Sequence, residues 1–432
     1  MRNSVVVKVL AVGFLILVLL IPTGFIGALI GEREQRRNAA VGEIHASWSG
    51  QQTVTGPLLS IPVRLPAKDG KGQLYWRTET VVVLPEELSV AGGIDTEPRY
   101  RGIYKTVVYS ANLGIKGFFT LPDFGKMGLT GGEVQWDQAS VAVGLSDLRG
   151  VKDNAPLDWA GHALALDAGG GPGGLRQSLE AAVPAATLTA GARKIPFSLT
   201  LDLKGSESLY FVPVGKTTTV ALKSAWPNPA FKGAFLPETR TVGASGFDAR
   251  WKVLHINRSL PQATTDSSID FGPSAFGLEL MIPVDQYTSA WRAVKYAALF
   301  VFFTFLVFFF IEYFQSKRLH PIQYLLVGAG VVLFYLLLLS FSEQMPFPLA
   351  YALASAAIVA VVGGYAHGVF GRASITGAVV AILTGLYAYL YTLLRLEDYA
   401  LLLGSLGLLA ALALVMYLTR GFDWYALEKP AA

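Results

Sequence analysis

Apolar residues along this chain fall into blocks. Val9–Ile30 carries no charge, and at about 1.5 Å of rise per residue a helix of that length crosses the roughly 30 Å hydrocarbon core of a bilayer. From Gly31 to Ser289 charges and turn residues are interspersed and no comparable run occurs. Uncharged apolar stretches return at Tyr296–Ile311, Ile322–Phe341, Leu349–Phe370, Thr376–Leu394 and Ala400–Leu418. The pattern predicts six transmembrane helices, one N-terminal and five C-terminal, around a large insert. A cleaved signal is the rival for the first run, since Arg2 and Lys8 form a basic start. That run is longer than a signal's apolar region of about 7–15 residues, and it ends Gly27-Ala-Leu-Ile-Gly31 without a small-residue cleavage site, so an uncleaved anchor is expected.

Within the insert the period changes from helical to two. Ile195–Lys204 alternates apolar and polar residues, Tyr75–Leu84 is a strand-like run closed by Pro85, and Thr217–Leu222, Gly246–Ile256 and Phe276–Val284 are similar. An approximate echo relates Lys105–Ala111 and Lys116–Pro122 to Thr217–Ala225 and Lys232–Pro237, with Ala168–Gly174 (AGGGPGG) between the copies. The expected fold class is an α+β membrane protein with a β-rich, two-lobed, β-sandwich-like external domain. The expected division is 1–30 anchor, 31–167 first lobe, 168–174 Gly-rich linker or loop, 175–289 second lobe, 290–420 five-helix block and 421–432 cytoplasmic tail.

Composition agrees with the membrane reading. With 52% hydrophobic and 15% charged residues in 432, the chain is too apolar for one soluble globule. The net charge of +4 is not gathered into a patch that tracks phosphates, so no nucleic-acid partner is expected. The absence of Cys excludes disulfides, thiolate nucleophiles and Cys-ligated zinc. Orientation follows from Lys and Arg in short loops. An N-in, C-in arrangement puts Arg2, Lys8, Lys317, Arg318, Arg372, Arg420 and Lys429 inside, against Arg395 alone in the outer loops near Glu343 and Glu397. The insert then faces the periplasm of a bacterium, with Tyr287, Trp291 and Tyr296 as an outer interfacial belt and Trp424 with Tyr425 as an inner one.

Candidate chemistry is sparse. Gly215-Lys216-Thr217 lacks the first Gly of a phosphate-binding loop, because position 210 is Tyr. His45, His162, His255, His320 and His367 are far apart, with no metal-ligand spacing, and no G-x-S-x-G elbow occurs. Asp266, Asp270, Glu279 and Asp285 read as a solvated face. No catalytic residue, cofactor or metal is expected. The middles of the apolar runs lack Asp, Glu, Lys and Arg, unlike ion-coupled transporters; His367 is the nearest candidate. Gly27-x-x-x-Gly31 and Gly364-x-x-x-Gly368 permit close helix packing. After the first run comes Glu32-Arg33-Glu34-Gln35-Arg36-Arg37, in which Glu32 and Arg36 can pair if the helix continues. Arg33, Arg36 and Arg37 are a candidate interface, meeting either headgroups or the acidic pair Glu397 and Asp398, with a solvated stalk as the plain alternative.

Several strings resemble the bacterial CreD family of inner-membrane proteins, named for cell envelope integrity. They include Glu32-Arg-Glu-Gln-Arg-Arg37, Gly56-Pro-Leu-Leu-Ser-Ile-Pro62, Arg101-Gly-Ile-Tyr104, His320-Pro-Ile-Gln-Tyr-Leu-Leu326, Phe334–Glu343, Leu394–Gly404 and Leu418–Tyr425. The resemblance covers essentially the whole chain and implies an envelope-stress factor with no established catalytic residues or cofactor. The expectation is therefore a non-enzymatic protein of the bacterial inner membrane. Its partners are the lipid bilayer and an envelope protein or lipid bound by the external domain, and its oligomeric state is open. The alternative is a transporter or lipid-handling protein in which helices and external domain form one path.

Overall fold

The computed structural model describes residues 5–71, 73–189, 194–266, 268–282, 286–315, 319–396 and 399–420. Eight α-helices occur among them. They are α1 (Val5–Trp48), α2 (Ala185–Thr189), α3 (Gln286–Lys295), α4 (Ala297–Gln315), α5 (Pro321–Ser342), α6 (Phe347–Phe370), α7 (Ala373–Arg395) and α8 (Ala400–Thr419). All but α2 and α3 are long and apolar enough to span a bilayer, which gives the six spans read from the sequence. Two compact units result: residues 1–38 with 284–432, and residues 39–283. Helix α1 runs from the first into the second.

In the helical unit the apolar stripes explain the packing. Tyr324, Val327, Val331, Tyr335, Leu338 and Ser342 recur along α5 at helical spacing, and all are buried. At Gly328 an added Cβ would lie 2.2 Å from Leu19 Cδ1 and 2.7 Å from Phe305 Cζ, so the missing side chain is what brings α5 against α1 and α4. Gly27 likewise faces the Trp291 ring of α3, at 2.5 Å from an added Cβ, whereas Gly31, Gly364 and Gly368 have nothing within 4 Å. Thus one glycine of the two spaced pairs makes a close contact. Toward the α5 C-terminus, Phe334 packs on Tyr387 of α7 and Tyr351 of α6, with centroids 4.6 Å and 5.3 Å apart. Helix α3 is an element the sequence reading treated only as an aromatic belt: Tyr287, Ala290 and Ala293 are buried, while Trp291 is 45% exposed. Leu401, Leu402, Leu409, Leu412 and Leu414 of α8 are exposed, as lipid-facing side chains would be.

The second unit is built on two mixed sheets of ten and eight strands. Alternation decides which faces turn inward. In the strand Ile195–Ser206, residues Ile195, Phe197, Leu199, Leu201 and Leu203 are buried, and in Gly246–Leu254 the set is Phe247, Ala249, Trp251 and Val253. The strand Gln52–Lys68 departs from alternation, being buried throughout Val54–Ile61, as expected of a strand covered on both faces. Parallel pairings occur twice among the described strands, Gln52–Val54 with Leu209–Phe211 and Glu87–Ile94 with Thr217–Ser224. Strands from 31–167 and from 175–289 therefore meet in both sheets, and one continuous core runs through the unit. The echoed strings occupy unlike places. The first pair begins within one strand, Tyr104–Phe119, and its second string runs on past the strand end, whereas the second pair starts in Thr217–Ser224 and at the end of Pro229–Gly233, which belong to different sheets. Residues 170–177 connect the antiparallel strands Asp167–Gly169 and Ser178–Ala182.

Candidate functional site

The basic cluster after the first span lies on α1, so its side chains fan out at 100° steps and meet different neighbours. Arg36 Nη2 donates to Glu32 Oε1 at 2.6 Å, the pairing its spacing predicts. Arg33 Nη1 stands 3.7 Å from Glu343 Oε2, and the Tyr287 hydroxyl donates to Glu343 Oε1 at 3.0 Å. Arg37 lies over the Tyr287 ring, with Cζ 5.9 Å from its centroid. Glu343 explains why these groups converge. It caps the C-terminus of α5 with only 10% of its side chain exposed, where the helix dipole disfavours an anion and a cation is needed nearby. Glu397 and Asp398, the other half of the expected interface, lie outside the described residues.

A second ion pair, which the sequence reading missed, lies toward the other end of α1 and ties it to α4. Glu312 of α4 accepts from Lys8 Nζ of α1, from the Tyr324 hydroxyl of α5 at 2.9 Å and from the Leu319 N–H at 3.0 Å. Its side chain is 9% exposed. The clue was present: Lys8 and Glu312 sit one residue beyond the apolar runs Val9–Ile30 and Tyr296–Ile311, at the same end of an antiparallel pair. Nearby, His320 caps α5, its Nδ1 accepting from Ile322 N–H at 3.3 Å while Gln323 Oε1 accepts from His320 N–H at 2.9 Å. His367 Nδ1 is 3.2 Å from Thr376 Oγ1, in a groove of about 1000 Å³ between α6 and α7 that Ser355, Gly363, Thr384 and Tyr387 also line.

In the β unit, the last turns of α1 are held by a polar and aromatic clamp. Trp48 lies between Arg99 Cζ and Lys204 Nζ, at 4.9 Å and 4.7 Å from its ring, and its indole N–H donates to Tyr109 O at 3.4 Å. Glu43 pairs with Arg101, His45 Nε2 is 2.9 Å from Thr106 Oγ1, and Arg149 Nη1 donates to Ala46 O at 2.9 Å. Asp147 completes the junction, accepting from Arg149 Nη2 at 2.8 Å, Arg149 Nε at 2.9 Å and Gly50 N at 3.1 Å. The bonds from Arg149 hold its carboxyl well below the usual carboxylate range, against an opposing effect of burial. Arg258, 9% exposed, donates to Val214 O at 2.8 Å and Gln262 Oε1 at 2.9 Å, with burial lowering its pKa to about 10.

Residues singled out for chemistry are dispersed. Lys216 pairs with Glu86 at 3.1 Å, Glu279 with Lys232 at 2.6 Å, and Asp266 and Asp270 accept from the Ser268 and Gly272 N–H groups within their own turns. Asp285 lies outside the described residues. Among the described residues no three His, Asp or Glu side chains gather as metal ligands.

Comparison with known proteins places this architecture. The family model described as inner membrane protein CreD matches residues 4–425. The chain is 34% identical over 426 residues to Inner membrane protein CreD of Escherichia coli (strain K12), covering 96% of this chain and 92% of that protein.

Proposed function

The chain belongs to the CreD family of inner membrane proteins, and on that premise we propose that it is a non-enzymatic envelope-integrity protein whose β unit binds an envelope component in the periplasm. Both termini are cytoplasmic in this reading, as the distribution of basic residues among short loops favours. The observation that carries it is the length of α1. At 44 residues it extends to about 66 Å, twice the hydrocarbon thickness, and its last turns are clamped into the β unit. Within the helical unit, the Lys8–Glu312 and Arg33–Glu343 pairs register the same helix against the other spans. Photocrosslinking residues placed in the full chain at exposed Trp76, Tyr100 and Ile256 should capture an envelope component in intact cells. Adducts absent at every position would count against a binding role. The lipid-handling alternative draws on the groove between α6 and α7; bulky replacements at Gly363 and Ala356 should then abolish function without altering capture by the β unit.

A further inference from the structure

The hairpin of Gln52–Lys68 and Leu74–Val83 ends in side chains that the core does not use. Leu74, Tyr75 and Trp76 are 73%, 49% and 53% exposed, although large apolar side chains are ordinarily buried in strands of this length. Register divides the tip into two faces, since directly paired residues share a side. Pairing of Pro66 with Trp76 and of Lys68 with Leu74 puts these four on one face. Arg64 joins them, its Cζ lying 5.3 Å from the Trp76 ring centroid. The other face carries Leu65, Ala67, Tyr75 and Arg77.

Charge at the tip is one-sided. Residues 64–77 hold Arg64, Lys68, Lys71 and Arg77 against Asp69, a net of +3 in a chain whose total is +4. Asp69 is occupied by its own turn, accepting from the Lys71 and Gln73 N–H groups at 2.9 Å and 2.8 Å. Arg77 is paired with Glu79, and Glu133 lies opposite Arg64 on the neighbouring strand. Among the described residues neither Lys68 nor Lys71 has an acidic partner. Strand geometry also places the tip far from α1: Gln52 follows the end of α1 closely, and seventeen residues at about 3.3 Å each carry the chain roughly 50 Å away.

We propose that this tip is a docking finger for an anionic phospholipid surface, with Leu74, Tyr75 and Trp76 entering the headgroup region and Arg64, Lys68 and Lys71 meeting lipid phosphates. Trp and Tyr have an apolar body and a polar edge, Lys and Arg have an apolar stem and a charged head, and both suit the boundary between water and acyl chains. A peptide partner would be read by alternating pockets along the strand, whereas here Lys68, Lys71, Leu74, Tyr75 and Trp76 are exposed together at the hairpin end beyond the buried Leu65. This proposal deepens the binding role above and rests on it, naming the chemistry of the component bound.

The test uses the full chain in nanodiscs of neutral phosphatidylcholine, mixed with separate vesicles of phosphatidylcholine alone or with phosphatidylglycerol, and measures co-flotation. Vesicles with phosphatidylglycerol should be captured and neutral ones not, with capture weakening as salt rises. Lys68→Gln and Lys71→Gln should each weaken capture about fivefold, and Trp76→Ser about tenfold. Leu236→Ser, at an exposed apolar position outside the hairpin, should leave it unchanged. Equal capture of both vesicle types, or native capture by the Trp76 and Lys variants, overturns the proposal. So does binding to purified peptidoglycan sacculi in place of vesicles, an outcome that would still leave the β unit as an envelope-binding domain.

Discussion

Glu312 should be the most sensitive polar position in the helix block. Its carboxylate takes Lys8 Nζ, the Tyr324 hydroxyl and the Leu319 N–H, with 9% of its own side chain and 30% of the Lys8 side chain exposed. Removing one partner of a buried pair costs about 3–5 kcal/mol because the other charge is left uncompensated. Since Lys8 is partly exposed and its stem can reach headgroup level, Glu312→Ala belongs at the lower end, about 3 kcal/mol. Glu312→Gln keeps an acceptor for Tyr324 and Leu319 and loses the charge, so about 1–2 kcal/mol is expected. Lys8→Met should cost about 2 kcal/mol, and the double variant with Glu312→Ala should fall short of the sum by about 1–2 kcal/mol. Tryptophan fluorescence of the purified full chain during heating reads this as about 2–4 °C per kcal/mol. If the two single effects add to within about 0.5 kcal/mol, the pair does not register these helices.

Three further outcomes follow from named contacts. Trp48→Ala removes two cation–π contacts and one hydrogen bond, worth about 2–3 kcal/mol together; melting should fall by about 4–12 °C, and Trp48→Phe should recover the stacking share. Because Asp147 is lowered in the folded state, its stabilisation is complete above the unfolded value near pH 3.9 and is lost as pH falls toward the folded value. The stability difference between the native chain and Asp147→Asn, followed by chemical denaturation, should stay level from about pH 5 to 8 and shrink below about pH 4; a constant difference down to pH 2 would contradict the assignment. Gly328→Leu forces the Leu19 and Phe305 side chains to shift, so it should push α1 from α5 and reduce disulfide crosslinking between cysteines placed on them, whereas Gly364→Leu, with open space, should not.

What was legible in the sequence was whatever depends on local period. Uncharged runs located all six spans, five of them to within a few residues, while α1 continues from the first run through the charged segment to Trp48; alternation located strands such as Ile195–Ser206. Short signals had local causes too: His320-Pro-Ile-Gln323 is a helix cap, and Glu32 with Arg36 is one helical turn. Long-range partners were not legible. Nothing local to Gln52–Val54 specifies parallel pairing with Leu209–Phe211, and nothing near Arg33 names Glu343 as its partner. Helix α3 was hidden because ten residues of mixed polarity, Gln286–Lys295, do not look like a span. The Trp48 clamp was hidden because its cations come from Arg99 and Lys204, distant in the chain.

The central claim, that the β unit and the short loop at Gln344 face the periplasm while the termini do not, is open to one direct measurement. The native chain has no Cys, so single cysteines report without background. Lys126, with 86% of its side chain exposed, and Gln344, also exposed, serve one side; Ser374 and Ala431 serve the other. In intact spheroplasts an impermeant maleimide should label Lys126→Cys and Gln344→Cys and leave Ser374→Cys and Ala431→Cys unlabelled until the membrane is opened. Labelling of the second pair with protection of the first would contradict the account.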